Sequence, residues 1–417
     1  MAKINVRDRN KNNPTKKPNW EYRFESASIN GRRKQFSKAG FKTKKEALIA
    51  GNAALAEYNC SGLHFEPTDM SVSDYLDYWF EVYVKINLKY NTQRNYTELF
   101  NHHFKPHFGM YKLNALNPSI IQEYINTLKM EGFAKSSIKN ILFTLSSALD
   151  YAIEPLHYIR ENPCRFVKLP VVEKPKRERV VLELEDWQRI INRFPPSSRF
   201  HVPLMIGFYC GLRIAETFAL TWDDINLETK ELSVNKQIIK RRVQNENKQS
   251  WYFGTPKTLS SKRVVKFGDA LANILKQEKE RQKINEEKYG NFYTIHVTVN
   301  EKDEKNNDLI RLIPIQKCIE VNSPIMKMVC VEENGSYTSI DSFKYCARVI
   351  HHELGLRFDY HSLRHTHATL LIENGANIKD VQVRLGHNNI VTTLQTYVHG
   401  TEKMASSSVD IFEQAVK

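Results

Sequence analysis

No stretch of this 417-residue chain approaches the ~20 consecutive apolar residues that a membrane-spanning helix needs. The opening residues, MAKINVRDRN, lack the apolar core of a secretory signal. Cysteines are few. Cys60, Cys164, Cys210, Cys318, Cys330 and Cys346 are scattered, without the short paired spacing of a zinc site or a disulfide framework. There is no GxxxxGK[ST] phosphate loop, so ATP use is not expected, and no cluster of carboxylates that would hold a catalytic metal. These absences argue against a membrane-spanning protein, a disulfide scaffold, a zinc module and a nucleotide hydrolase. They predict a reduced cytoplasmic chain that works without metal or cofactor.

What is present begins with charge. Hydrophobic content of 41% and charged content of 26% are ordinary for a folded chain, and the length predicts two or three domains. The net charge of +14 is unevenly placed: residues 1–50 hold 14 Lys/Arg against 4 Asp/Glu, so ten of the fourteen excess positive charges lie there. A basic arm points to a polyanion, most often nucleic acid. Its aromatic residues set it apart from a disordered solubilising tail.

Residues 1–65 read as one small α+β domain, a three-stranded sheet plus a helix. Trp20, Tyr22 and Phe24 alternate with polar neighbours at the strand period, and Asn30-Gly31 signals a hairpin. Thr43-Lys-Lys-Glu46 matches a capping box that opens a helix carrying Ala47, Leu48, Ala50, Ala54, Leu55 and Tyr58. Such a sheet, with a basic face, suits a DNA groove. Its candidate DNA contacts are Arg23, Arg32, Arg33, Lys34, Lys42 and Lys44. Residues 66–167 are expected to be an all-α bundle. Val72, Tyr75, Leu76, Trp79, Phe80 and Tyr83 repeat at helical spacing; Asn117-Pro118 starts a helix that Gly132 ends; Ile138 to Ala152 supply another stripe. On this bundle Lys85, Lys89, Arg94, Lys135 and Lys139 are phosphate contacts or simply a solvated face. Residues 168–178, with two prolines and dense charge, read as a linker. Residues 179–417 form a larger unit, within which Asn300 to Asp308 is expected to be a surface insertion.

Chemistry-bearing residues concentrate in that unit. Arg213 and Glu216 stand three apart at a helix start that Leu212, Phe218 and Leu220 fix in the core; alone, they read as an ordinary ion pair. Thr255-Pro-Lys257 leads into an alternating strand that ends at Phe267, which places Lys257 near the tip of a β-hairpin; alone, it reads as a loop lysine. His361-Ser-Leu-Arg364 puts an imidazole and a guanidinium on one helical face. His387 follows a Gly-marked helix break, and Tyr397 stands ten residues beyond it. Cationic donors, an imidazole pair and a phenol suit attack on a phosphodiester.

Taken in order, Arg213, Lys257, His361-x-x-Arg364, His387 and Tyr397, in the words GLRIAE, TPKTLSSKR, HSLRHTHATLL and VRLGHNNIVTTLQTY, resemble the tyrosine recombinases, the phage-type integrases of temperate phages and conjugative transposons. The resemblance covers nearly the whole chain. Residues 20–60 look like an arm-site-binding domain, 70–165 like a core-binding domain and 180–417 like a mainly α catalytic domain with a small β-sheet. The arm favours the integrase branch over Xer-type recombinases, which generally lack it. One departure is the interval of 104 residues between Lys257 and His361, long beside compact members.

The resemblance implies that Tyr397 attacks the scissile phosphate to form a 3′-phosphotyrosyl link. Arg213 and Arg364 would grip the non-bridging oxygens, Lys257 protonate the departing 5′ oxygen, His361 accept or relay the tyrosine proton, His387 hydrogen-bond the phosphate, and Glu216 orient Arg213. It further implies double-stranded DNA at core and arm sites, a homotetramer that passes through a Holliday junction, an excisionase and a host DNA-bending protein, all in a bacterial nucleoid setting. Val409, Ile411, Phe412 and Ala415 look like the family's C-terminal helix, packed on a neighbouring protomer or on its own domain. Two rival readings are a catalytically silent DNA-binding regulator, which the intact set of six argues against, and a type IB topoisomerase, which the arm disfavours.

Overall fold

The structure, a computed structural model, describes residues 4–11, 17–29, 32–61, 69–171, 180–243, 248–256, 261–303, 307–391, 393 and 413. The expected Asn30-Gly31 turn, linker residues 172–178, Lys257, Tyr397 and the apolar C-terminal residues Val409, Ile411, Phe412 and Ala415 lie outside that set. The chain divides into two compact units, Met1–Pro175 and Lys176–Lys417.

The first unit opens with an antiparallel sheet of β1 (Asn5–Asp8), β2 (Trp20–Ile29) and β3 (Arg32–Phe41), in that order. Ile29 pairs with Arg32, the register of a two-residue hairpin connection. The strand β1 lies upstream of the alternating Trp20, Tyr22 and Phe24. Tyr22 and Phe24 are buried against Ala54 of the helix Lys44–Ser61. That helix starts as its capping signal predicts, with the Glu46 N–H donating to Thr43 Oγ1 (3.1 Å) and the Lys42 N–H to the Glu46 carboxylate (3.0 Å).

Leu48 does not join the core as its place in the apolar stripe predicts; it is exposed. The helix lies on the sheet through small residues instead. Ala47 and Ala54 are buried, and a Cβ added at Gly51 would come within 3.0 Å of Tyr22 Cβ. Arg23, a candidate DNA contact, is salt-bridged within the sheet. Its guanidinium holds the buried Glu21 carboxylate at 3.1 Å, alongside Arg7 at the same distance. Lys42 and Lys44 are exposed. For Arg32, Arg33 and Lys34 only the backbone, at the start of β3, is described.

The rest of this unit is helical. Val72–Trp79 continues through one π-helical turn, Phe80–Val84, and Tyr90–Leu99 through another, Phe100–Phe104; Pro118–Met130 and Lys135–Ile153 follow. Asn117 caps its helix by accepting from the Ser119 and Ile120 N–H groups. Trp79, Tyr75, Phe104, Phe108, Ile121 and Ile125 form the fully buried centre. Lys89, Arg94, Lys135 and Lys139 are exposed, with Arg94 3.7 Å from Glu98.

The second unit surrounds the apolar helix His201–Cys210, on which Leu184–Arg193, Asp269–Tyr289, Ile340–Leu354 and Tyr360–Glu373 build one core. Its strands are β4 (Ile225–Asn226), β5 (Glu231–Val234), β6 (Gln237–Arg242), β7 (Gln249–Gly254), β8 (Arg263–Lys266), β9 (Thr294–Lys302), β10 (Asp308–Gln316) and β11 (Ile325–Met326). They form two sheets, β4-β5-β8 and β11-β9-β10-β7-β6. Among the described residues β7 and β8, the strands on either side of Lys257, do not pair with each other. β7 has β6 on one edge and β10 on the other, and β8 pairs with β5. Of the stretch Asn300 to Asp308, expected to be a surface insertion, Asn300–Lys302 and Asp308 are paired in the β9 and β10 ladder, whose register runs from Thr294–Gln316 to Lys302–Asp308. This ladder accounts for part of the long interval before His361 and makes the sheet content larger than a single small sheet.

Candidate active site

Four turns deliver the site. The His201–Cys210 helix stops at Gly211 in the left-handed region (φ 63°), where a Cβ would come within 2.7 Å of the His367 ring. Two residues later Arg213 becomes the N-cap of the short helix Ile214–Thr217, held by the buried Leu212, Phe218 and Leu220. Glu216 folds back on it. Its carboxylate accepts from the Arg213 backbone N–H (3.0 Å) and from Arg213 Nη1 (2.7 Å).

His361 and Arg364 lie on the Tyr360–Glu373 helix, which Asp359 caps by accepting from the Ser362 N–H. His361 is exposed, whereas Arg364 is buried with 2% exposure. The last turn is the end of the helix Ile378–Leu385 at Gly386 (φ 66°). His387 comes next, its N–H bonded to the Gln382 carbonyl (3.1 Å) and its Nδ1 3.0 Å from Thr393 Oγ1.

This last helix end organises the rest. A helix leaves its final carbonyls without partners inside the helix, and here three successive ones accept from three different arginines. The Arg384 carbonyl takes Arg263 Nε at 2.6 Å, Leu385 takes Arg364 Nη2 at 2.6 Å, and Gly386 takes Arg213 Nη2 at 3.1 Å. Arg364 Nη1 also donates to the Gly211 carbonyl at 2.8 Å, which ties the turn before Arg213 to the turn before His387. The negative end of the helix dipole favours the gathering of cations there. Among the expected residues, Arg213, Glu216, Arg364, His361 and His387 are thus brought together.

The field of these cations shapes the imidazoles. Burial first, then the cations of Arg364, Arg213 and Arg263, push His387 down to about 3. His361 is lowered for the same reasons, desolvation followed by Arg364. Both are neutral near pH 7 and free of a proton they would have to lose before accepting another. Glu216 moves down: burial works to raise its carboxyl, but the two arginines, Arg263 foremost, outweigh it.

Two other side chains that could act as nucleophiles are buried. Tyr360 is buried, its hydroxyl donating to the Pro203 carbonyl (2.9 Å) and hydrogen-bonded to the Thr217 hydroxyl (2.8 Å), and burial pushes its pKa far up. Burial likewise pushes the Cys210 thiol up to about 12. Arg263 was part of a recognised motif word without a role of its own. Nothing in the run Lys262, Arg263, Lys266 marks which side chain turns inward.

The sequence model of the phage integrase family matches residues 181–404, more than half of the chain. The chain belongs to the phage integrase family. The family's N-terminal SAM-like domain matches 71–129, and an arm DNA-binding domain matches 9–57. This integrase is 27% identical to a XerC-like tyrosine recombinase of Caldanaerobacter subterraneus over 88% of this chain and 89% of that one. It is 24% identical to the ICEBs1 integrase of Bacillus subtilis over 76% and 75%. Its fold is similar to that of the Tn1549 transposon integrase solved with circular intermediate DNA, with a TM-score of 0.62 and 19% identity over 82% of this chain and 99% of that one. Its activity class is DNA breaking and rejoining. Among the described residues no helix is long and apolar enough to cross a membrane, and no His, Cys, Asp and Glu gather as a metal site.

Two buried histidines of the integrase give its catalytic unit an acid limit. Burial pushes His296 and His367 down to about 4 from 6.5, with Arg384 adding to the shift at His367. The unfolded chain takes up these protons near pH 6.5, the folded one only near 4. Their contribution is therefore complete above pH 6.5 and lost as the pH falls toward 4, at about 2 kcal/mol for each histidine by pH 5. The thermal midpoint is expected to drop between pH 7 and 5, and His296→Gln to flatten that drop. A midpoint independent of pH over this range would contradict it.

Proposed function

We propose that this integrase is a site-specific tyrosine recombinase that integrates and excises a mobile element, cutting and rejoining duplex DNA through a 3′-phosphotyrosyl link at Tyr397. The row of arginines held on one helix end carries this reading. It presents fixed guanidiniums beside two neutral imidazoles, the arrangement that a phosphate gaining charge in a pentavalent transition state needs. Arg213 and Arg364 hold the non-bridging oxygens, and Glu216 orients Arg213. His361, neutral and open to solvent, accepts or relays the phenol proton; His387 donates to the phosphate. Lys257 serves as the acid for the departing 5′ oxygen. A phenol with an ordinary pKa near 10 needs such help at neutral pH. The ester it forms keeps the bond energy, so the 5′ hydroxyl of another strand reverses the step.

We read residues 1–65 as the arm-site domain, 66–167 as the core-site domain and 179–417 as the catalytic domain, with 168–178 between them. Exchange of four strands at two duplexes needs four nucleophiles, hence a tetramer on the Holliday junction. An excisionase and a host DNA-bending protein would set direction.

The test is a nicked duplex that carries the junction sequence of the element encoding this gene. A covalent protein–DNA complex that requires that sequence is expected. Sequence-specific binding without any covalent complex would instead indicate a regulator. Relaxation of a plasmid lacking the junction, as the main activity, would indicate a topoisomerase.

A further inference from the structure

Arg263 has no part in the roles above, yet its guanidinium lies inside the site. It opens β8, and its side chain is 4% exposed. Every edge of the guanidinium is occupied: Nη2 donates to Glu216 Oε2 (2.9 Å), Nε to the Arg384 carbonyl (2.6 Å) and Nη1 to the Ser261 carbonyl (3.0 Å). All three of its nitrogens are thus spent on protein acceptors. The carboxylate it holds is also 4% exposed, and through its other oxygen holds Arg213, which is 30% exposed. One buried anion is therefore shared between an arginine that faces the substrate side and one that does not.

We propose that Arg263 is a positioning residue for phosphate activation, engaging Glu216 so that this carboxylate orients Arg213 without neutralising it, and anchoring the first of the three carbonyls on which the site's arginines are hung. The proposal rests on the reading of Arg213 as a phosphate-holding residue.

Charge and geometry both require such a group. Arg213 and Glu216 alone make a neutral pair, whose pull on a phosphate is weak. In a partly desolvated cleft, where charge interactions are strong, one further guanidinium restores a net positive charge. It does so from behind, without competing for the phosphate. The same guanidinium fixes the Arg384 carbonyl, and Leu385 and Gly386, the next two residues, receive Arg364 and Arg213. Loss of the anchor would let that helix end shift, and a misplacement near 1 Å costs about 10²-fold in rate.

The experiment uses the full-length protein and the nicked junction duplex in two forms. One has an ordinary scissile phosphodiester. The other has a methylphosphonate, in which a methyl group replaces one non-bridging oxygen and removes the negative charge. Arg263→Gln is expected to slow covalent-complex formation about 10²-fold at saturating phosphodiester DNA, with core-DNA affinity unchanged. On the methylphosphonate the gap from wild type is expected to narrow, since the charge that Arg213 must meet is gone. Adding Glu216→Gln to Arg263→Gln is expected to recover part of the phosphodiester rate by removing the uncompensated carboxylate. If the Gln variant does not fold, Arg263→Lys, with one nitrogen in place of a fork, serves in the same comparison. Equal rates for variant and wild type, an equal loss on both substrates, or no recovery in the double variant would each overturn the proposal alone. Absence of any covalent complex with the wild type would overturn the recombinase reading and the proposal with it.

Discussion

Tyr397→Phe is expected to leave DNA binding intact and to abolish the covalent protein–DNA complex, whereas Tyr360→Phe continues to form it. Without the phenolic oxygen there is no atom to carry the phosphate, so the effect is a loss rather than a slowing. Tyr360 is the informative control, because it lies next to His361 in sequence and its phenol is chemically identical. Its hydroxyl, however, is committed to the Pro203 carbonyl and Thr217 Oγ1 inside the core. The neighbouring helix lies so close that a Cβ at Gly207 would meet that oxygen at 2.8 Å. Removing the hydroxyl there leaves the buried Pro203 carbonyl without its donor, which costs about 1–3 kcal/mol of stability and no chemistry. Yield of protein-linked DNA on a denaturing gel, followed by mapping of the linked peptide, separates the two. A wild-type yield from Tyr397→Phe would end the assignment.

The parts of this integrase that are legible in its sequence are those written locally. The Thr43 and Asn117 caps, the stripe from Val72 to Trp79, and the Arg213–Glu216 spacing all concern residues within one or two helical turns, where geometry follows from the 3.6-residue period. Leu48 shows the limit even there: hydrophobicity placed it inward, but Ala47, Gly51 and Ala54 let the helix approach more closely on their side. Sheet pairing is non-local. Nothing between Gly254 and Arg263 says that β7 already has partners on both edges and that β8 must pair with β5. The inward turn of Arg263 depends on an acceptor 121 residues away, and the three-carbonyl row exists only once four separated segments have met. Motif resemblance could name Arg213, Arg364 and His387 as companions. It carried no information about the helix end that holds them.

That helix end makes Arg364→Lys the most damaging of the charge-conserving changes. The expected result is a loss of about 10²–10³ in the rate of covalent-complex formation at saturating DNA, with a lower melting temperature. Arg364 uses separate nitrogens for the Gly211 carbonyl (2.8 Å) and the Leu385 carbonyl (2.6 Å), so its planar fork spans the turns that lead to Arg213 and His387. A lysine offers one tetrahedral nitrogen, which cannot span both carbonyls and present a planar pair of donors to a phosphate. At 2% exposure the ammonium also pays a desolvation cost that favours its neutral form. The damage then spreads, because both neighbouring turns lose their common tie. Rates measured well below the melting transition separate chemistry from unfolding. A folded Arg364→Lys protein that kept the wild-type rate would mean that the phosphate is held elsewhere, and that the row of arginines does no more than cap a helix.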